Sequence, residues 1–336
     1  MKAVFFDITP FEKTFFEDVL PKNFDKVFFN TPLNENTEVE KEAQNAEILC
    51  VFISSSLTSD VLEKFKNLKF ILTRSVGYSH IDLNYCKNHD IFVFNTPNYG
   101  DYTVAEYTFA ILLYTIRNIS KGIRALEFDE ILSEECMGVE LYNKTLGVIG
   151  AGSIGKKVLD IARGFNMKTL AYDVRKSEGY NFCTLDELFE NSDIISINSS
   201  LTKETYHIIN EETIKKMKDG VIIVNVARGE IIETQALYNA LLSGKVSYAA
   251  LDVIECEEIL CSNSENCTSL DNIKESCLEK FYLNQKLLRL PNVTITPHMA
   301  YNTKEATGRI LNMTKENFMS CLNFNAKTGA KNLILL

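Results

Sequence analysis

Short apolar runs recur along the chain, and the stretches between them repeat their apolar positions every three to four residues. A run that is short and apolar throughout reads as a strand buried on both faces, whereas a 3.6-residue period marks a helix with one face inward. The first set of runs, residues 3–6, 26–29, 48–53, 70–73 and 91–94, predicts a small domain of about five strands. A second set, residues 146–149, 169–172, 194–197, 221–224, 247–251 and 293–296, predicts six more. Strands that alternate with helices build parallel sheets covered on both faces. The expected fold is therefore α/β, with two doubly wound parallel-sheet domains.

Between the two sets, residues 103–119 are apolar on most sides and predict a buried connecting helix. Such a helix must be covered by neighbours, which makes a homodimer one expectation. Residues 303–322 have helical periodicity, and the apolar end, Asn332-Leu333-Ile334-Leu335-Leu336, is expected to dock back on the first domain. Residues 258–286, polar and rich in Ser, Asn and Glu, read as an irregular insertion.

Chemistry enters at the strand ends. Leu146-Gly147-Val148-Ile149-Gly150-Ala151-Gly152-Ser153-Ile154-Gly155 places a G-x-G-x-x-G turn between a strand and a helix. Gly150 permits the tight turn, Gly152 lets backbone approach a pyrophosphate, and Gly155 lets the helix pack on the sheet, its amino terminus facing the phosphates. Asp173 closes the next strand 23 residues after Gly150, placed to accept hydrogen bonds from ribose hydroxyls. It would repel a 2'-phosphate, so NAD is expected over NADP despite Arg175 and Lys176 nearby. Six strands suit such a sheet and give the second domain a Rossmann-type character; the first is expected to be smaller and flavodoxin-like.

Three later strands lead to Arg228, to an acidic stretch at Glu255, Glu257 and Glu258, and to His298. Ligands of open α/β sheets bind where strands end. An Arg fork grips a carboxylate through two parallel hydrogen bonds, and a histidine braced by a carboxylate exchanges a proton with a neighbouring oxygen. Such a trio suits a small 2-keto or 2-hydroxy acid. The other histidines, His80, His89 and His207, read as surface or capping residues.

Composition mostly excludes. With 336 residues, 46% of them hydrophobic, the chain is long enough for two cores. A formal net charge of -10 argues against a nucleic-acid surface, which would show a basic patch. No cleavable signal pattern and no run of about 18 uncharged apolar residues are visible, so no membrane association and a cytoplasmic location are expected. Nine cysteines spread through a large chain without export signals are expected to be free thiols. Cys256, Cys261, Cys267 and Cys277 lack the tight pairing of a zinc site, and no metal is expected.

These blocks, with Arg74-Ser75-Val76-Gly77-Tyr78-Ser79-His80-Ile81-Asp82 and Thr103-Val104-Ala105-Glu106, resemble the D-isomer-specific 2-hydroxyacid dehydrogenase family over nearly the whole chain. The resemblance implies catalytic roles for Arg228, Glu257 and His298. Its interval of 29 residues from the arginine selects Glu257 over Glu255 and Glu258. It implies cofactor contacts from Ser153, Ile154, Ser199, Ser200, Thr205, Val226, Ala227 and Asp252, the last beside the nicotinamide carboxamide. Substrate contacts follow from Val76, Gly77, Tyr99, Arg228 and Tyr301. The implied division is a substrate domain at residues 1–100 and 300–336 and an NAD-binding domain at 101–299. Asn95-Thr96-Pro97-Asn98-Tyr99 and His298-Met299-Ala300-Tyr301-Asn302-Thr303 look most like the branch acting on D-lactate and D-2-hydroxyisocaproate. The activity implied is an NAD-dependent D-lactate dehydrogenase; a larger 2-hydroxy acid is the alternative, and an NAD-sensing corepressor a remote one. Asn198-Ser199-Ser200 departs from the family's His-Val-Pro at the cofactor backbone.

Overall fold

The computed structural model describes residues 1–22, 24–41, 43–127, 134–257, 275–324 and 330–334. They form two compact units, Met1–Tyr99 with Thr303–Leu336, and Gly100–Asn302. Twelve strands lie among the described residues: β1 (Lys2–Phe5), β2 (Asp25–Phe28), β3 (Ile48–Val51), β4 (Phe70–Thr73), β5 (Phe92–Phe94), β6 (Thr145–Ile149), β7 (Lys168–Tyr172), β8 (Ile194–Ile197), β9 (Val221–Asn225), β10 (Val246–Leu251), β11 (Val293–Ile295) and β12 (Leu333–Ile334).

The sheet of the first unit runs β12-β5-β4-β3-β1-β2. Its strands are parallel except β12, which pairs antiparallel with β5 through Leu333 to Phe94 and Ile334 to Val93. Strand alternation sends Val4, Leu49 and Ile71 into one apolar layer. Ala3, Phe5, Ile48, Cys50 and Leu72 enter the other. The second layer is closed by Phe16 of the helix Pro10–Val19 and Phe318 of the helix Lys304–Leu322, both fully buried. Burying each ring contributes about 1.5–3 kcal/mol. The first of these helices starts where it does because Thr9 and Glu12 form a reciprocal capping box, with Pro10 in the first turn.

In the second unit all six strands are parallel, in the order β11-β10-β9-β8-β6-β7. A single parallel bridge from Ala171 to Phe182 lies beyond β7. If this bridge is counted as the third strand position, the order becomes 3-2-1-4-5-6-7, the 3-2-1-4-5-6 order of a dinucleotide-binding sheet with β11 added at its edge, and the order reverses between β6 and β8. The helix Asp101–Ile116 is buried against this sheet through Ala105, Phe109, Leu112 and Ile116. That face is covered by its own unit, while Tyr102, Glu106, Ala110 and Tyr114 are exposed. No helix among the described residues is long and apolar enough to cross a membrane.

Two expectations are corrected. Part of the stretch read as irregular is a helix, Glu275–Leu287, while residues 258–274, with Glu258, Cys261 and Cys267, lie outside the described residues. Nor are all the cysteines free: Cys256 and Cys277 are joined in a disulfide with a sequence separation of 21. Cys50, Cys86, Cys136, Cys183 and Cys321 are free. Spacing alone did not announce the pair, because the helix that presents Cys277 was not expected. Closing a loop of this length stabilises a fold by about 3 kcal/mol through the unfolded chain. Cys277→Ser is expected to lower the melting temperature of the second unit by about 6–12 °C in calorimetry, and an unchanged transition would deny the link any stabilising role.

Candidate active site

The glycine turn at the carboxyl end of β6 has the shape its sequence requires. Gly150 holds φ +91°, and a Cβ there would lie 2.5 Å from Ser199 N. A Cβ on Gly155 would lie 2.0 Å from Gly150 O, so only glycine lets the helix Ser153–Gly164 come this close. Gly152 faces open space and caps that helix without a side-chain hydrogen bond. The helix terminus thus offers an anion both backbone donors and the positive end of its dipole. Beside it, the buried Ser199 Oγ and Asn198 Nδ2 have no partner among the described residues. Such orphaned polar atoms call for a ligand. Asp173 follows β7, with Oδ1 accepting from Arg175 N at 2.8 Å. Thr205 is turned into its own loop, its hydroxyl donating to Ser200 O at 2.8 Å. Glycine cradle, uncapped helix, orphaned donors and the acid after β7 fit a dinucleotide.

Arg228, Glu257 and His298 all leave the carboxyl edge of the same sheet. In register, Asn225 of β9, Leu251 of β10 and Ile295 of β11 lie side by side. The chain past β9 is shaped by the buried Asn225, which accepts from Ala227 N at 3.0 Å and donates to Arg228 O at 2.8 Å. Arg228 Nη1 donates to Ala227 O at 2.6 Å. Next to it, a Cβ on Gly229 would fall 2.0 Å from Ile254 C and 2.4 Å from Glu255 N. The arginine's backbone is therefore seated directly on the segment that leads to Glu257.

His298 occupies a left-handed position, φ +48°. Its N–H donates to Asp252 O at 2.9 Å. The Asp252 carboxylate accepts from Thr296 Oγ1 at 2.7 Å, Met299 N at 3.0 Å and Ala300 N at 2.8 Å, which fastens the turn on both sides of the histidine. Tyr107 bonds Thr296 from the helix beneath, and burial pushes its phenol up. Glu257 Oε1 lies 2.6 Å from His298 Nδ1, and its Oε2 accepts from Ile254 N at 3.3 Å. The imidazole is thus fixed through Nδ1, with Nε2 directed elsewhere.

Behind the trio is a hub that the sequence reading missed. Glu255, passed over there in favour of Glu257, is 2% exposed. It accepts from Thr234 N at 3.0 Å and Thr234 Oγ1 at 2.6 Å, lies 2.9 Å from His207 Nε2, and is ion-paired to Lys280. Burial pushes its pKa up, but hydrogen bonds from Lys280, Thr234 and His207 outweigh this and hold the carboxyl below the usual range. His207, read from sequence as a surface or capping residue, is half-buried and joined to the buried Glu255. His80 likewise bonds inward, 3.1 Å from Thr73 Oγ1, whereas His89 caps the helix Leu83–Asn88.

Val76, Gly77 and Tyr99 belong to the first unit. The Val76 carbonyl accepts from Asn95 Nδ2 at 2.9 Å and that of Gly77 from Ser75 Oγ at 2.6 Å, which fixes the turn after β4. Arg74, 1% exposed, anchors the start of this turn by donating to Glu12 and to the carbonyls of Phe6 and Asp7. Tyr99 is buried, and Arg309 Nε donates to its carbonyl at 2.7 Å. Tyr301 is half-buried at the end of the second unit.

The chain is similar over most of its length to known proteins. Residues 109–300 match the model of the D-isomer specific 2-hydroxyacid dehydrogenase NAD binding domain. A hydroxypyruvate reductase of Thermotoga maritima is 39% identical over 82% of this chain and 85% of its own. An aromatic 2-oxoacid reductase of Clostridium sporogenes is 35% identical over 93% and 94%. Among solved structures, the D-lactate dehydrogenase of Aquifex aeolicus, complexed with NAD and lactic acid, superposes with a TM-score of 0.87 at 36% identity, covering 99% of this chain and 98% of that one.

Proposed function

The chain belongs to the D-isomer-specific 2-hydroxyacid dehydrogenase family of NAD-dependent oxidoreductases, and on that premise we propose that it reduces pyruvate to D-lactate. The observation that carries the proposal is the 2.6 Å pairing of Glu257 with His298 on the sheet edge that also presents Arg228. Support for pyruvate comes from the likeness to the Aquifex aeolicus enzyme, whose complex holds lactic acid.

In this proposal the second unit is the NAD-binding domain and the first the substrate domain. The turn at Gly150, Gly152 and Gly155, with Ser153 and Ile154, would hold the pyrophosphate, and Asp173 the ribose. Ser199, Ser200, Thr205, Val226, Ala227 and Asp252 are the further cofactor contacts. Bound as NADH, the cofactor supplies the reducing equivalent. Arg228 grips the substrate carboxylate and stabilises the negative charge that gathers on the carbonyl oxygen. His298 Nε2 gives that oxygen its proton, and takes it back in the reverse direction. Glu257 fixes the ring through Nδ1 and so leaves Nε2 as the donor atom. The proposal keeps Val76, Gly77, Tyr99 and Tyr301 as substrate contacts.

Consumption of NADH with pyruvate, hydroxypyruvate, a branched and an aromatic 2-keto acid tests the reading. Pyruvate is expected to give the highest kcat/KM, and D-lactate but not L-lactate to be oxidised in reverse. A preference for one of the other acids would move the assignment to a larger 2-hydroxy acid. NADH binding without turnover of any of them would favour a binding module.

A homodimer belongs to the same proposal. The helix Ile119–Glu127 turns Ile119, Ile123 and Leu126 to solvent, the last 81% exposed. Their spacing puts them on one stripe that a second copy would cover. Sedimentation velocity is expected to give a dimer of the 38.1 kDa chain; a monomer at all concentrations would remove this part.

A further inference from the structure

Glu255 lies two residues before the proposed acid and does not itself reach toward the imidazole. Its carboxylate instead connects segments that sequence keeps far apart. Thr234, at the start of the helix Thr234–Ser243, binds it through both N–H and hydroxyl. That threonine ends the short stretch running from Arg228 through the 3-10 turn Gly229–Ile231. On another side, Lys280 of the helix Glu275–Leu287 pairs with the carboxylate, and Asn284 Nδ2 of the same helix donates to the Glu255 carbonyl at 2.8 Å. His207 closes a third side. The peptide between Ile254 and Glu255 is also the surface on which Gly229 rests.

We infer that Glu255 is a positioning residue, which sets the backbone carrying Arg228 and the backbone carrying Glu257 at a fixed separation. The inference rests on the reaction proposed above. A buried carboxylate would be costly without partners, and here Thr234 ends the stretch that follows Arg228 while Lys280 lies on the helix that also binds the Glu255 carbonyl. The residue has two arms. The Thr234 arm holds the arginine's stretch; the Lys280 arm, with Asn284 and the Cys256–Cys277 link beside it, holds the acid's stretch against its helix. Loss of the first should disturb grip on the substrate carboxylate. Loss of the second should disturb the brace on His298.

The test is steady-state reduction of pyruvate by Glu255→Gln, Thr234→Val and Lys280→Met, with kcat and KM normalised to NADH-binding sites. Misplacement by an ångström costs up to about 100-fold, and Glu255→Gln is expected to lower kcat/KM by roughly 10-fold, with KM rising and kcat falling together. Thr234→Val should act mainly on KM. Lys280→Met should act mainly on kcat, because the ring of His298 is less well braced. A residue that only supported the fold would lower the number of binding sites and leave KM and kcat of the remaining sites unchanged, and that result would overturn the inference. If Glu255→Gln does not fold, the same two readouts in Thr234→Val and Lys280→Met decide. Wild-type enzyme that reduces no keto acid through His298 would instead remove the underlying reading.

Discussion

His298→Ala is expected to lower kcat for pyruvate reduction by about two to four orders of magnitude while changing KM little. The carbonyl oxygen gains a full negative charge as the carbon is reduced, and water is a poor donor at neutral pH compared with an imidazolium whose ordinary pKa is about 6.5. Position makes this group effective. Its turn is fastened by three donors to the buried Asp252, and its ring by Glu257 at Nδ1, so the donor atom has little freedom to lose when substrate arrives. The substrate carboxylate is gripped by a different residue, which is why binding should survive. The measurement is kcat and KM from initial rates; turnover within a few-fold of wild type would reject His298 as the proton donor.

The elements that carry this site were legible because their signal is local. The runs at 70–73 and 194–197 coincide with β4 and β8, and that at 221–224 falls one residue short of β9. Each is an apolar stretch bounded by polar residues, and each is buried along its length. The glycine turn was readable for a similar reason, since all three constraints act within six residues. Glu255 was not readable. Its partners Thr234, His207 and Lys280 are 21, 48 and 25 residues away, and nothing in the linear pattern joins them. The one available signal was that buried Val253 and Ile254 precede it, where a solvated loop would carry polar residues. The helix Glu275–Leu287 was hidden by the same network. Its inward face presents Lys280 and the fully buried Asn284 beside Cys277, Leu283 and Leu287, so the apolar period is broken where polar groups meet Glu255. The disulfide was hidden in turn, since the spacing of two cysteines means little until the helix that presents one of them is known.

Arg228→Lys is expected to lower kcat/KM by about 100-fold, chiefly through KM, and this separates the side chain from its surroundings. The backbone here is held mostly by other groups than the guanidinium, whose bond to it runs from Nη1 to Ala227 O: Asn225 fixes the turn through the Arg228 carbonyl, and Gly229 seats it on the Ile254–Glu255 peptide. Lysine can therefore occupy the position without moving it. Charge is retained, so the general attraction for an anion persists. What disappears is the planar fork that binds both carboxylate oxygens at once, and an ammonium that reaches one oxygen leaves the acid free to swing. A hydrogen bond to a charged group contributes about 1.5–3 kcal/mol, which corresponds to roughly 10- to 100-fold in affinity. Some loss in kcat should accompany it, because a tilted substrate presents its carbonyl oxygen less well to His298. A kcat reduced by orders of magnitude at unchanged KM would mean that the guanidinium acts only on the transition state and that the carboxylate is held by other donors. A KM raised about equally for substrates with and without a carboxylate would mean that the arginine shapes the pocket and does not read the acid.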